Sequence, residues 1–393
     1  MKTKAARLYF IDAMRAWAIL MMLQGHFIDG LLDTVFRDPD SSVYTVWKYF
    51  RGITAPVFFT VSGFIFTYLL IRVPEVGLEN PRVKKGLKRG LQLLLIGYLL
   101  RLNLFGLFKG HIYDAFYLVD VLHCIGLSII GIIGVYLLSQ KAQKIFPLLL
   151  LGITLVLFMF EPVYKLWTYP LLPEGIANYF TKANGSVFTI IPWMGYTAFG
   201  GFLSVLFTRF KNYKRLYPAA IAISSLSGFA LILYSSSLFV SLSRLTGIQL
   251  FADIYFNNYL FIRLGDVLVV FAVFMIFRSL VTQRTVLRIG QNTLSIYVIH
   301  FIILYGSFTG LGLYRFFHHS LTPAVAIPGA LAFMVLCSYA ALQYDTHEVA
   351  VKQFISKSIK SAWFRIEPFY QTAQRVLKAN IYKLLRLLGA VKN

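Results

Sequence analysis

The sequence predicts an all-α, polytopic membrane helix bundle of about ten transmembrane helices with both termini cytoplasmic. Three observations predict it. Apolar runs of roughly 20 residues recur along the chain, the length that spans bilayer hydrocarbon. Of the 393 residues, 58% are hydrophobic and 14% charged, where a soluble domain carries ~25% charged residues; the mean hydropathy is +0.68. The runs do not alternate apolar and polar residues, so they lack the signature of a transmembrane β-barrel.

Taken in order, the expected spans cover residues 9–32, 49–71, 90–107, 118–138, 145–163, 187–207, 216–242, 259–277, 293–314 and 321–342. The first carries an ionisable stripe inside an otherwise apolar run. The second contains Pro56, which kinks a helix, and Ser62 with Gly63, which permit close backbone approach. Such a helix lines a narrow tunnel or forms an ordinary packing seam. The fourth enters with Asp120 and His123, the eighth with Arg263 and Asp266, and the ninth with Asn292, Ser295, Tyr297 and His300. No internal repeat is evident. Residues 1–344 form one transmembrane domain.

Orientation follows from the loop charges. Twenty-seven Lys and Arg fall on the side of the N-terminus, among them Lys2, Lys4, Arg7, the run from Arg72 to Arg89 and nine in the tail. Ten fall on the other side, including Arg37, Arg51, Arg101, Lys182 and Arg263. The positive side is cytoplasmic. This alternation, rather than one basic face, separates the net charge of +22 from a nucleic-acid footprint. Residues 345–393 interleave apolar and basic residues, as in FYQTAQRVLKANIYKLLRLLGAVK. That pattern suits a basic amphipathic helix lying on an anionic cytoplasmic leaflet, with a basic extension lacking fixed structure as the alternative. Cys124 and Cys337 lie in apolar runs and are read as small buried hydrophobes rather than as a disulfide. The first apolar run holds Asp12 and Arg15 and is followed by no small-residue cleavage pattern, so it is expected to stay in the mature protein.

The stretch DAMRAWAILMMLQGH carries the chemistry. A charged group at the bilayer centre costs at least ~2.5–3.5 kcal/mol on insertion scales. Arg15 and His26 are eleven residues apart, about three turns and ~16 Å along a helix, so they share a face. Asp12 lies within reach of Arg15, and Asp29 and Asp33 continue near the same stripe. The face must turn inward, toward a cavity or protein partners. The bland reading is a set of satisfied pairs that fix packing. At the outer depth, Asp120 beside His123 forms a carboxylate–imidazole pair, which orients a ring and raises its basicity. Arg263 with Asp266 reads as structural. His300 reads equally as a packing or a site residue, and adjacent His318 and His319 read as solvated. No metal site is expected, because no two histidines have ligand-like helical spacing within a span.

Four segments together resemble the transmembrane acyltransferase superfamily, which includes the bacterial acyltransferase-three proteins and the relatives of heparan-glucosaminide N-acetyltransferase. They are IDAMRAWAILMMLQGH, with an Arg, ten residues and a His; FFTVSGFIF; YLVDVLHCIGLSII; and RIGQNTLSIYVIH. The similarity runs to about Tyr344. It implies transfer of an acyl group, acetyl foremost, from cytosolic acyl-coenzyme A to a carbohydrate-type acceptor outside the cytoplasmic membrane, in a multi-pass inner-membrane protein of bacterial type. On this chain it implies His26 as catalytic base, with Asp29 or Asp120 orienting it and His123 and His300 as further site candidates. Arg15, Lys84, Lys85, Lys88 and Arg89 would meet the coenzyme A phosphates. The implied partners are lipids, the thioester and a sugar or glycan, with no nucleic acid; a homodimer is one option for the oligomer. A transporter or lipid flippase using the same ionisable residues is the alternative. A non-catalytic scaffold would need no such stripe.

Overall fold

The computed structural model describes residues 8–387; Lys2, Lys4 and Arg7 of the basic N-terminus and positions 388–393 of the tail lie outside them. The principal helices are α1 Tyr9–Leu31, α2 Ser42–Leu70, α3 Pro81–Arg101, α4 Val121–Leu138, α5 Phe146–Met159, α6 Ile190–Arg209, α7 Leu216–Thr246, α8 Tyr259–Ile276, α9 Arg284–Gln291, α10 Thr293–Tyr305 and α11 Pro323–Leu387. The fold is all-α. Among the described residues there is no strand, only two isolated bridges.

Each expected span coincides with a helix, but helices and spans are not the same count. Among the described residues six helices are long and apolar enough to cross a membrane: α2, α4 with the turn before it, α6, α7, α8 and α11. A seventh arises if α9 and α10, bent by 71° at Asn292, are one broken span. The physical reasons differ for the rest. α1 carries Asp12, Arg15, His26 and Asp29, α3 begins with five cationic side chains, and α5 has only 14 residues. The ninth span is also revised. Instead of one helix over 293–314, α10 ends at Gly306, whose φ of +71° reverses the chain into a tight loop. Its start at Asn292 is a break rather than a loop end.

The boundaries have local causes. Ser41 and Asn80 cap α2 and α3, the latter followed by Pro81 at the first helical position, where a missing N–H costs nothing. The Asn80 amide also donates to the Leu70 carbonyl, 2.9 Å away, which joins the end of α2 to the start of α3. Asp120 caps α4 and His123 returns the bond in a capping box.

The chain divides into two compact units, one through Tyr339 and one from Ala340. In the first, Phe10, Met14, Val57, Val61, Phe64 and Phe271 form a buried cluster shared by α1, α2 and α8. The tightest approach is between α2 and α6. A Cβ added at Gly63 or Gly200 would lie within 2 Å of a backbone carbonyl of the other helix, that of Thr197 or Thr60. Small residues at such crossings let helices associate by packing, since lipid supplies no hydrophobic drive between them. In the second unit the helix is amphipathic. Ile355, Ile366, Phe369 and Leu377 share one exposed face, and Lys357, Lys360, Arg375 and Lys378 the opposite one.

Candidate active site

The site begins with α1. Leu8 precedes the helix without a side-chain cap, and the run that follows buries Phe10, Ile11, Met14, Ala18, Ile19 and Leu23 around most of the helix, with Asp12 of the polar stripe buried among them. Toward its N-terminal end Arg15 sits 3.8 Å from Asp12 and donates a hydrogen bond to the Thr293 hydroxyl at 3.0 Å. Thr293 is the first residue of α10, so Arg15 lies at the break between α9 and α10. Gly290 makes this possible. A Cβ there would lie 1.9 Å from the Asp12 carbonyl oxygen.

Three turns further along, His26 meets α10. Its Nδ1 is 3.0 Å from the Tyr305 hydroxyl, and its ring stacks on His300 with centroids 5.5 Å apart at 30°. His300 is fully buried, and neither ring nitrogen has a hydrogen-bond partner among the described residues. Tyr297 packs edge-on against it at 4.8 Å. The turn spacing of α10 puts Tyr297 and His300 on one face, and the helix end brings Tyr305 back over His26.

His26 also faces a cavity of about 330 Å³. Arg51, Thr54, Phe59, Lys182, Trp193 and Tyr259 share its lining. This volume suits a single small ligand, at the lower end of the usual range for such sites. Arg15 is not part of this wall, so the open space reaches His26 without following the stripe to Arg15. Among the described residues no group of three or more His, Cys, Asp or Glu is placed to hold a metal ion.

The other expected site residues fall in three places. Asp29 forms an ion pair with Arg51 of α2, and its backbone carbonyl accepts from Arg37 at 2.6 Å and faces His319 Nε2 at 3.2 Å. His319 is therefore tied to the end of α1 rather than solvated. Asp120 and His123 form a second buried group. Asp120 is 3.1 Å from His123 Nδ1 and accepts from Arg101 Nε at 3.2 Å. The His123 ring lies 4.4 Å from Tyr98 and fills the space beside Gly97. The hydrogen-bond partner of His26 is thus a tyrosine, while both candidate carboxylates are engaged by arginines. Lys84, Lys85, Lys88 and Arg89 are exposed on the first turns of α3. Arg263 and Asp266 pair at 2.9 Å, and Tyr49 of α2 donates to Asp266 at 2.6 Å beneath the Arg263 guanidinium. This is a clamp between α2 and α8.

Sequence reasoning passes over Tyr305, Arg51, Lys182 and Trp193. Arg51 and Lys182 carry a weak signal, since they are among the few cations on the sparsely charged side. Tyr305 and Trp193 carry none, because aromatic residues are common in apolar helices.

A search of curated proteins finds no match to the chain. The family model described as an acyltransferase domain, that of the acyltransferase-three proteins, matches residues 8–343. That span runs from the start of α1 into α11 and includes every residue around the cavity, and so the chain belongs to the acyltransferase-three family of multi-pass membrane acyltransferases.

Proposed function

We propose that the protein moves an acyl group, acetyl in the first instance, from cytosolic acyl-coenzyme A to a carbohydrate-type acceptor on the far side of a bacterial inner membrane. Both termini are cytoplasmic in this reading and the helices make about ten passes. The cavity beside His26 then opens outward, and the exposed cations at the start of α3 face the cytoplasm. The second unit's basic and apolar faces suit the surface of an anionic leaflet.

The observation that carries the reading is His26 itself. It stands on the wall of a ligand-sized cavity with Nδ1 engaged by Tyr305, and Nε2 makes no hydrogen bond to the described residues. With Nδ1–H donating to the Tyr305 oxygen, the neutral tautomer leaves Nε2 as the base. Nε2 takes the proton from the acceptor hydroxyl or amine as its oxygen or nitrogen attacks the thioester carbonyl carbon. A carbon–oxygen or carbon–nitrogen bond forms, the carbon–sulfur bond breaks, and the proton passes to the departing thiolate, giving free coenzyme A. Arg51, on the same wall, supplies positive charge for the oxyanion that develops on the carbonyl.

At the inner end, Arg15 and the N-terminus of α10 present positive charge together. A helix N-terminus and an arginine both favour phosphate, and Lys84, Lys85, Lys88 and Arg89 would add steering. A broken helix at membrane depth is tolerated where it is buried in protein or lines a cavity, which is how α9 and α10 are used here.

The test is thiol release from acetyl-coenzyme A by the purified chain, with a panel of sugars. A general base contributes ~10²–10⁴-fold. His26→Ala is therefore expected to lose at least about two orders of magnitude while still binding coenzyme A. Acyl transfer by that variant near the wild-type rate overturns the role of His26. Sugar transport by the wild type without thioester cleavage favours the transporter reading instead.

A further inference from the structure

The wall of the His26 cavity is unusual in what it holds and what it lacks. Its lining includes two cationic residues, the exposed Lys182 and Arg51, and no acidic residue. Asp29 touches Arg51 but does not line the space. Lys182 makes no ion pair within 4.0 Å among the described residues. Two residues of the lining each bury a polar atom without a partner. The Trp193 indole Nε1, in a residue 7% exposed, and the Thr54 hydroxyl, in one 6% exposed, have no hydrogen bond to the described residues. An indole N–H is a donor and nothing else. A buried donor left unmade is costly, so a lining with two cations and an orphan donor suits a ligand rich in acceptor atoms. In the same lining, Phe59, Phe188 and Trp193 cluster with centroids 4.7 to 5.8 Å apart. They offer an apolar surface to the carbon face of a ring.

We infer that the acceptor is an anionic sugar, bearing a carboxylate or a phosphate, held by Lys182, Arg51 and the Trp193 N–H with its nucleophile beside His26. The identity of this ligand as the acceptor rests on the acyl-transfer reading above; the anion site does not. Arg51 already answers Asp29, so its second charge-assisted bond is shared. Lys182 brings an uncommitted charge. The cavity holds one sugar unit, and the cations fix which of its hydroxyls reaches His26.

The experiment uses the full chain in detergent with three probes: glucuronate, glucose 6-phosphate and glucose. Binding is measured first by calorimetry without donor, then transfer is measured with acetyl-coenzyme A. At least one anionic sugar is expected to bind tenfold or more tightly than glucose. Which one does so separates carboxylate from phosphate. A hydrogen bond to a charged group is worth enough that Lys182→Gln should weaken the anion about 10- to 100-fold and leave glucose within about twofold. Lys182→Arg should restore most of the loss. Trp193→Phe keeps the ring, removes the N–H, and should weaken the anion about 2- to 10-fold. Glucose binding as tightly as both anions, or no binding of either anion, overturns the proposal. So does an equal loss of transfer to glucose and to the anionic sugars in Lys182→Gln, which would assign the cation to the reaction rather than to the acceptor. Anion binding without thioester cleavage by any probe keeps the site and refutes the transferase reading; transfer to glucose alone does the reverse.

Discussion

Replacing Gly290 by alanine tests how α1 and the broken α9–α10 pair hold the two ends of the site together. The added Cβ would lie 1.9 Å from the Asp12 carbonyl oxygen and 2.8 Å from its carbonyl carbon. Ordinary van der Waals contact begins at 3.4 Å, so α9 must withdraw by about 1.5 Å. Both obstructing atoms are backbone, and no side-chain rotation relieves them. Overpacking of this kind costs ~1–3 kcal/mol. The larger effect is on geometry. Thr293 follows Gly290 by three residues and holds Arg15 at 3.0 Å; a shift of that size takes the pair out of hydrogen-bond range. It also displaces α10, which carries His300 and Tyr305 to His26. A misplacement of ~1 Å can cost about 10²-fold in rate, so Gly290→Ala is expected to lose between about tenfold and a hundredfold in acetyl transfer. The control is Gly134→Ala on α4, where nothing lies within 4 Å of the added atom. There the gain in helix propensity should leave stability unchanged or raised by ~0.5–1 kcal/mol. Melting in detergent and thiol release are measured on both variants. If Gly290→Ala melts and turns over like Gly134→Ala, the contact between α1 and α9 does not position the site.

Three further outcomes follow from the same geometry and a fourth from the loop charges. Tyr305→Phe keeps the ring and removes the partner of His26 Nδ1; transfer should fall about 5- to 100-fold without a change in fold, as for a buried polar group left unpaired, and activity within twofold of wild type would release Tyr305 from the mechanism. His300→Phe keeps a ring against His26 and removes two unpartnered nitrogens, so stability is expected to hold or rise by ~1–3 kcal/mol while transfer drops; unchanged turnover would make His300 a packing residue. Arg15→Gln should weaken coenzyme A binding in calorimetry, with further weakening when the α3 cations are neutralised, and a reporter active only outside the cytoplasm should stay silent when fused at Asn393. Full donor affinity in both variants, or a strong reporter signal, contradicts the proposed donor side or the orientation.

What the sequence determines by itself is the membrane class, the helical nature of every span and the family. Composition and run length decide the first two directly, because hydrocarbon tolerates only backbone satisfied within its own segment; the family is legible in four motifs that resemble it. The shared face of Arg15 and His26 is likewise legible, since helical spacing is a local property. The number of helices long and apolar enough to span is less so: charge within α1 and α3 and the shortness of α5 separate forming a helix from crossing alone. Only the tertiary structure decides who meets whom. His26 finds Tyr305 and His300 because α9 and α10 break at Asn292 and α10 stops at Gly306, and neither event leaves a hydropathy signal. Asp29 and Asp120 are taken by Arg51 and Arg101, partners 22 and 19 positions away. Lys182 and Trp193 reach the same cavity from a loop and a helix far from His26 in the chain. No periodicity encodes such meetings. They depend on which glycines let helices approach, and that is a property of surfaces in contact rather than of one segment.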